Sequence, residues 1–204
     1  MFADDVALLA QTVRDLQYQL DVLKTFCTNS YLNVNTTKTK VMVFKKGGRL
    51  ARNERFYYDN QSLDIVNSFT YVGVTFTTTM SLNVMSNELA MKAKRVLFSL
   101  LSSLYDYGQL PSHVFFKLFD TKILPILLYG TELWGFKSRD NIELIHRLAC
   151  KRFLCVNKYS SNCVALGDCG RYPLYIESAR RCIKYWFRLL KLPDDRYVKI
   201  CYKM

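Results

Sequence analysis

Apolar residues follow two rhythms along this chain, and the change comes near residue 80. Leu9, Val13, Leu16, Leu20, Leu23 and Cys27 recur at three- and four-residue steps, the spacing of one face of an α-helix. Thr12 opens that run and Asp15 stands three residues later, the pattern of a capping box, so a helix is predicted to begin there. The stretch NSYLNVN (Asn29 to Asn35) ends it. Before the helix, Val6 to Ala10 is a short apolar run fit for a buried strand. After it, KVMVF (Lys40 to Phe44) reads as a strand and KKGG (Lys45 to Gly48) as a turn. RFYYDNQSLDIV (Arg55 to Val66) reads as two strands turned at Asp59-Asn60. SFTYVGVTFT (Ser68 to Thr77), rich in β-branched and aromatic residues, is a further strand.

From Asn83 onward the spacing is helical. Leu89, Ala93, Val96, Leu97, Leu100, Leu101 and Leu104 keep it up to YGQLP (Tyr107 to Pro111). Ser112 starts another helix, which Pro125 should end or kink. DNIE (Asp140 to Glu143) has the form of a second capping box, before a helix to about Val156. A last helix is predicted from about Pro173 to Leu192. Its apolar stripe is Ile176, Ala179, Ile183, Trp186 and Leu190, and its other face carries Arg180, Arg181, Lys184, Arg188 and Lys191. The fold class expected is α+β: residues 1–80 with a partial antiparallel sheet and one packed helix, then an all-helical region over 81–204.

Composition supports a folded chain. Half of the 204 residues are hydrophobic and 14% aromatic, enough apolar surface to offset the ordering entropy. Charge is more telling: 29 Lys and Arg against 17 Asp and Glu leave +12. The surplus is uneven. Residues 1–100 carry 12 basic and 8 acidic residues (+4), and residues 101–204 carry 17 and 9 (+8). Such a balance favours polyanionic partners, nucleic acid before an anionic membrane, although a basic surface also simply keeps a protein soluble.

Seven cysteines include no Cys-x-x-Cys pair, and two histidines stand far apart, so a zinc site is not indicated. Reduced, mostly packing cysteines in an intracellular protein, nuclear or cytoplasmic and not secreted, are expected. The N-terminus lacks the basic start of a signal peptide. The most apolar segment, Val114 to Trp134, carries Lys117, Asp120, Lys122 and Glu132, and no membrane association is expected.

Asp4 and Asp5 interrupt an apolar stretch. Adjacent carboxylates there are costly unless something positive meets them, and a divalent cation is a natural partner. A helix N-terminus would suit them as well. Phe2-Ala3-Asp4-Asp5 resembles the aromatic-x-Asp-Asp box of reverse transcriptases, and the later boxes resemble those of the non-LTR (LINE-type) group in order. LNVNTTKTKVMVF (Leu32 to Phe44) is similar to the segment after the Asp-Asp hairpin and its helix. FTYVGVTF (Phe69 to Phe76) is similar to the primer-grip strand pair. LPILLYGTELWGF (Leu124 to Phe136) resembles a Pro-x-x-x-Tyr-Gly-x-Glu-x-Trp-Gly signature. LGDCGRYPLYIESARRCIKYW (Leu166 to Trp186) resembles a later Gly-Arg-x-Pro-Leu stretch. Each box alone is weak; five in order across nearly the whole chain are specific.

The resemblance implies a rear palm (1–80) and a helical thumb and post-thumb region (81–204). It implies metal coordination by Asp4, with Asp5 less directly involved, in a two-Mg²⁺ site for nucleotidyl transfer. Lys38 matches a basic position near the incoming triphosphate, and also reads as a solvated turn lysine. Phe69, Tyr71 and Gly73 match a platform for the primer end, and also read as a buried strand with a bulge. Arg180, Arg181, Lys184 and Arg188, with Arg147, Lys151 and Arg152, are candidate phosphate contacts on thumb helices, or ordinary solvated faces. Leu127, Tyr129 and Trp134 are expected to build core, Gly130 and Gly135 to permit tight turns, and Glu132 to have a basic partner.

The implied partners are an RNA template and a DNA primer, with deoxynucleoside triphosphates in the intact enzyme. The resemblance begins inside the catalytic box, and the family's other metal-binding aspartate and its fingers have no counterpart here. A chain of these residues alone is therefore expected to be inactive as a polymerase. Two alternatives stand beside this reading: a non-catalytic, basic nucleic-acid-binding module, and a protein-interaction fragment.

Overall fold

Thr12 does what its position predicts. Its hydroxyl accepts from the Asp15 N–H (3.1 Å) and caps helix α1, Val13–Asn29. In a computed structural model, which describes residues 5–45, 54–104, 108 and 110–203, the chain is α+β and divides into two compact units, Met1–Leu82 and Asn83–Met204. Among the described residues no helix is long and apolar enough to cross a membrane.

Among the described residues of the first unit α1 is followed by six short strands: β1 (Lys40–Val41), β2 (Tyr57–Tyr58), β3 (Gln61–Ser62), β4 (Asp64–Ile65), β5 (Ser68–Tyr71) and β6 (Val74–Thr77). None exceeds four residues, and they pair two by two rather than forming one antiparallel sheet. β2–β3 and β5–β6 are antiparallel hairpins, whereas β1 and β4 run parallel, with Lys40 Nζ bonded across the pair to Asp64 (2.6 Å). Asp59 and Asn60 turn the first hairpin at φ 48° and 62°, the left-handed pair that a two-residue hairpin with right-handed twist requires. The segment 68–77, which its residues suggest is one strand and the resemblance a strand pair, is a hairpin. Val72 and Gly73 turn it at φ 48° and 75°, a conformation that Gly accepts and a β-branched Val resists.

The core of this unit is Leu20, Val41, Phe56, Tyr58 and Leu63, with Leu8, Leu16, Leu23, Val34, Val43 and Ile65 packed around it. Burial raises the Tyr58 hydroxyl above its ordinary value, with Cys27 adding to the effect. Gln17 holds α1 to β2 by acting as a strand neighbour: its amide donates to the Tyr57 carbonyl (2.9 Å) and accepts from the Tyr57 N–H (3.0 Å). The strand expected at Val6 to Ala10 does not form. Asp5 makes an isolated bridge, the chain beyond it is irregular, and Leu9 is 81% exposed. The segment is tied to α1 instead, through Leu8 in the core and the Gln19 amide donating to the Leu9 carbonyl (2.9 Å). The turn expected at Lys45 to Gly48 lies outside the described residues beyond Lys45.

The second unit is helical: α2 (Asn83–Leu104), α3 (Ser112–Lys122), α4 (Leu124–Leu127), α5 (Thr131–Trp134), α6 (Asp140–Phe153), α7 (Asn162–Asp168), α8 (Leu174–Leu190) and α9 (Tyr197–Lys203). Pro125 breaks the apolar segment as expected: α3 stops at Lys122, and α4 restarts with the proline in its first turn, where its missing N–H costs nothing. α2 packs on α4 and α6, α5 packs on α8, and Leu97, Phe119, Ile123, Leu127 and Ala149 are completely buried.

Two expectations fail here for the same reason. DNIE is not a capping box: Arg139 is the N-cap of α6, and Asp140 is already helical. Glu143 instead crosses to α8 and accepts from the Tyr175 N–H (2.7 Å), supplying the cap that Pro173 cannot. On α8 the buried face is Leu174, Ser178, Cys182 and Leu189, not the predicted stripe, whose Ile176, Ile183, Trp186 and Leu190 are exposed. In both helices a tertiary neighbour selects the face that local pattern leaves open.

Candidate functional site

The candidates in the first unit fall on three separate pieces of chain. Asp4 lies outside the described residues, and Asp5 is exposed at the isolated bridge. Lys38 is an exposed turn residue whose N–H donates to the Asn35 side chain (3.1 Å). That Asx turn sets the backbone and leaves the ammonium in solvent. Phe69, Tyr71 and Gly73 share the β5–β6 hairpin. Phe69 and Tyr71 are two residues apart and so point to one side, opposite Phe76 and Val74, with Gly73 in the turn. Phe69 is 38% exposed and Tyr71 half-buried, so a ring face stays open for contact. Among the described residues no three His, Cys, Asp or Glu side chains come together to hold a metal ion. With Asp5 as a single exposed carboxylate, the described residues do not make a magnesium site.

In the second unit the basic candidates sort by environment. Lys151 is buried, and its ammonium donates to the Lys158 carbonyl (2.8 Å), tying the end of α6 to the loop after it. Arg147 is half-buried and Arg152 exposed on the same helix. On α8, Arg180, Lys184 and Arg188 recur at four-residue steps and all are exposed, so they line one side of the helix. Arg180 and Arg181 both bond Glu177, at 2.7 and 3.0 Å. The Arg180 bond, with that of Arg181, holds the Glu177 carboxyl down at about 2, so it stays ionised and cancels part of the charge at the head of the track. The outward positive charge therefore concentrates at Lys184 and Arg188.

One cluster escaped the sequence reading. Arg171 lies over the rings of Phe116 and Phe119 and forks onto Asp120, with bonds of 2.9 and 2.5 Å. Its Nε–H also donates to Nε2 of His146 (3.4 Å), a side chain with no exposed surface. Burial, reinforced by the Arg171 charge, pushes His146 down to about 4, so it is neutral at physiological pH. Beside it, burial pushes the Cys150 thiol up to about 12, and the Cys169 thiol donates to the Cys150 carbonyl at 3.9 Å. Asp120 in the most apolar segment, and the Gly170-Arg171 pair 50 residues later, were the available signals; only folding shows that they meet.

The two late motifs prove to be packing devices. Leu127 and Trp134 are buried as expected, while Tyr129 is 42% exposed and its carbonyl accepts from the Trp134 indole (3.2 Å). Gly130 turns the chain at φ 65°. Gly135 lets α5 and α8 touch: a Cβ there would stand 2.7 Å from Cys182 Sγ and 2.8 Å from the Ser178 carbonyl. Among the described residues no Lys or Arg forms an ion pair with Glu132, contrary to expectation. It lies in the first turn of α5, where the helix dipole favours an acid.

The chain is 29% identical over 155 residues to a protein of Caenorhabditis elegans named as an uncharacterized transposon-derived protein. The match takes in 71% of this chain and 52% of that protein, so the chain spans about half the length of the curated relative it matches. This similarity supports an origin in a transposable element. No protein-family model matches the chain. No solved structure matches it.

Proposed function

We propose that these residues are the rear palm and the thumb of a non-LTR, LINE-type reverse transcriptase, working on an RNA template and a DNA primer. The observation that carries the reading is the order of the five boxes, from Phe2-Ala3-Asp4-Asp5 to the Gly170-Arg171 stretch. A transposon-derived relative is in keeping with it. In this reading the β5–β6 hairpin presents Phe69, Tyr71 and the Gly73 turn to the primer end. Lys184 and Arg188, with Arg180, Arg181, Arg147 and Arg152, meet backbone phosphates without reading bases. Asp4 and Asp5 are the carboxylates that would face Mg²⁺. The family's other metal-binding aspartate has no counterpart among these residues, and the property expected of them is binding of primer–template.

The test is binding of an RNA–DNA primer–template, followed by fluorescence anisotropy across a salt series. Each phosphate contact should contribute about −0.9 to the slope of log K against log salt. Reversing Lys184 and Arg188 to Glu should flatten that slope by about two. Unchanged affinity in that variant would remove α8 from the interface. The second reading, a metal-independent binding module, is favoured by the exposed α8 track alone. Mn²⁺ titration separates the two: binding that Asp4→Asn abolishes supports the polymerase reading, and nucleic-acid binding with no metal affinity supports the module.

A further inference from the structure

α8 is apolar on two sides, and one of them is uncovered. Leu174, Ser178, Cys182 and Leu189 face the interior, whereas Ile176, Ile183, Phe187 and Leu190, at steps of seven, four and three, form a second stripe that is 40–54% exposed. At 1.5 Å per residue that stripe runs for about 21 Å, roughly four turns of helix. Trp186 is 44% exposed beside it, and its indole N–H donates to the Tyr202 hydroxyl of α9 (2.9 Å). Lys184 and Lys191 fall next to the stripe on the helical wheel, on the side of Ile176 and Phe187, as does Arg180, whose charge Glu177 partly cancels. An apolar row with a cationic rail is the complement of an amphipathic helix whose apolar ridge is bordered by carboxylates.

We propose that this face of α8 docks a partner helix of that chemistry: apolar residues at three- and four-residue spacing, flanked by Asp and Glu. A second copy of this chain fits poorly. Pairing two α8 helices would set Arg180, Lys184, Arg188 and Lys191 against their own copies, in a region whose 17 basic and 9 acidic residues already leave +8. Nucleic acid fits the rail but only part of the stripe: Phe187, with Trp186 beside it, offers a ring on which a base could stack, whereas Ile176, Ile183 and Leu190, three of the four stripe residues, do not. The proposal rests on the exposed stripe and its rail and does not depend on the polymerase reading.

The probe is a synthetic helical peptide of about eighteen residues, long enough to cover the stripe at 1.5 Å per residue, with Leu at the contact positions and Glu beside them. A control peptide carries Lys in place of Glu. Titration of the full chain should shift the Trp186 emission to shorter wavelength with the acidic peptide, and not with the basic one. Ile183→Gln with Phe187→Gln should weaken peptide binding at least tenfold and leave primer–template binding unchanged. Lys184→Glu should weaken peptide binding several-fold. Circular dichroism and melting of each variant establish that the fold is kept, which substitutions at exposed positions should allow. Equal binding of both peptides, no binding of either, or loss of nucleic-acid affinity in the Gln variant would each overturn the proposal. A Trp186 shift with single-stranded RNA or anionic vesicles but not with the acidic peptide would assign the face to those partners instead.

Discussion

Arg171 shows how much a motif residue can do that its motif does not tell. In sequence it stands in a Gly-Arg-x-Pro-Leu stretch, which gave it no role of its own. In the fold its guanidinium is occupied by both Asp120 oxygens and by His146, over two phenylalanine rings. Arg171→Ala leaves a half-buried carboxylate without its partner and should cost about 2 kcal/mol, a charge-assisted pair being worth more than a neutral one. Lys restores the charge but not the fork. A double-mutant cycle with Asp120→Asn, read by denaturant melts, should return a coupling of about 1–3 kcal/mol; additivity would show the pair to be idle. His146 makes a second prediction. Its folded value of about 4 lies below its ordinary 6.5, so the unfolded chain binds the extra proton between those limits. Stability is therefore full above pH 6.5 and falls as pH drops towards 4, by up to about 1.4 kcal/mol per pH unit. Melting at pH 6.5 and 5 should show the loss, and His146→Gln should flatten it.

At the scale of elements, what was legible depended on whether a signal was local. The Thr12 cap, the Asp59-Asn60 turn and the Pro125 break all act within a few residues, and all appear where the sequence puts them. The Glu143 side chain was misread because its acceptor capacity is spent on another helix, 32 residues away. The α8 stripe was misread because that helix has two apolar sides, and its neighbours choose between them, among them Thr131 of α5 and the Gly135 that ends it. The Cys182 thiol donates to the Thr131 carbonyl (2.9 Å), and the Ser178 hydroxyl donates to the Gly135 carbonyl (3.1 Å). Gly135→Ala should therefore push α5 off α8 and cost about 1–3 kcal/mol, the range for overpacking a tight contact. The residue has φ −69°, which Ala tolerates, so the loss is steric. A melting temperature equal to the parent's would mean that the helices do not meet as closely as described.

For the whole molecule, cysteines offer a check that needs no activity. All seven are free, with Cys155, Cys163 and Cys201 exposed and Cys27, Cys150 and Cys182 buried. Iodoacetamide applied to the native chain should label the three exposed thiols within minutes. Cys150, raised to about 12 by burial, should react only on unfolding. Rapid labelling of Cys150 by peptide mass mapping would contradict the packing of α6. The +12 charge was legible at once, but where it faces was not. Lys151 is turned inward to a carbonyl, and Arg180 and Arg181 are partly neutralised by Glu177. Counting basic residues thus overstates the track that Lys184 and Arg188 present to solvent.

The amino-acid order alone determined the α+β class, the Thr12 cap, the Asp59-Asn60 turn and the Pro125 break, and the boxes on which a retroelement reading stands. Those features come from backbone sterics and short-range hydrogen bonds, which need no knowledge of distant chain. Only tertiary structure decided that Glu143 caps α8, that Arg171 clasps Asp120 and His146, and which side of α8 stays open. Each of these is a choice between partners that are all chemically adequate. It is settled by which groups the packing brings within about 3 Å, the range over which a hydrogen bond forms.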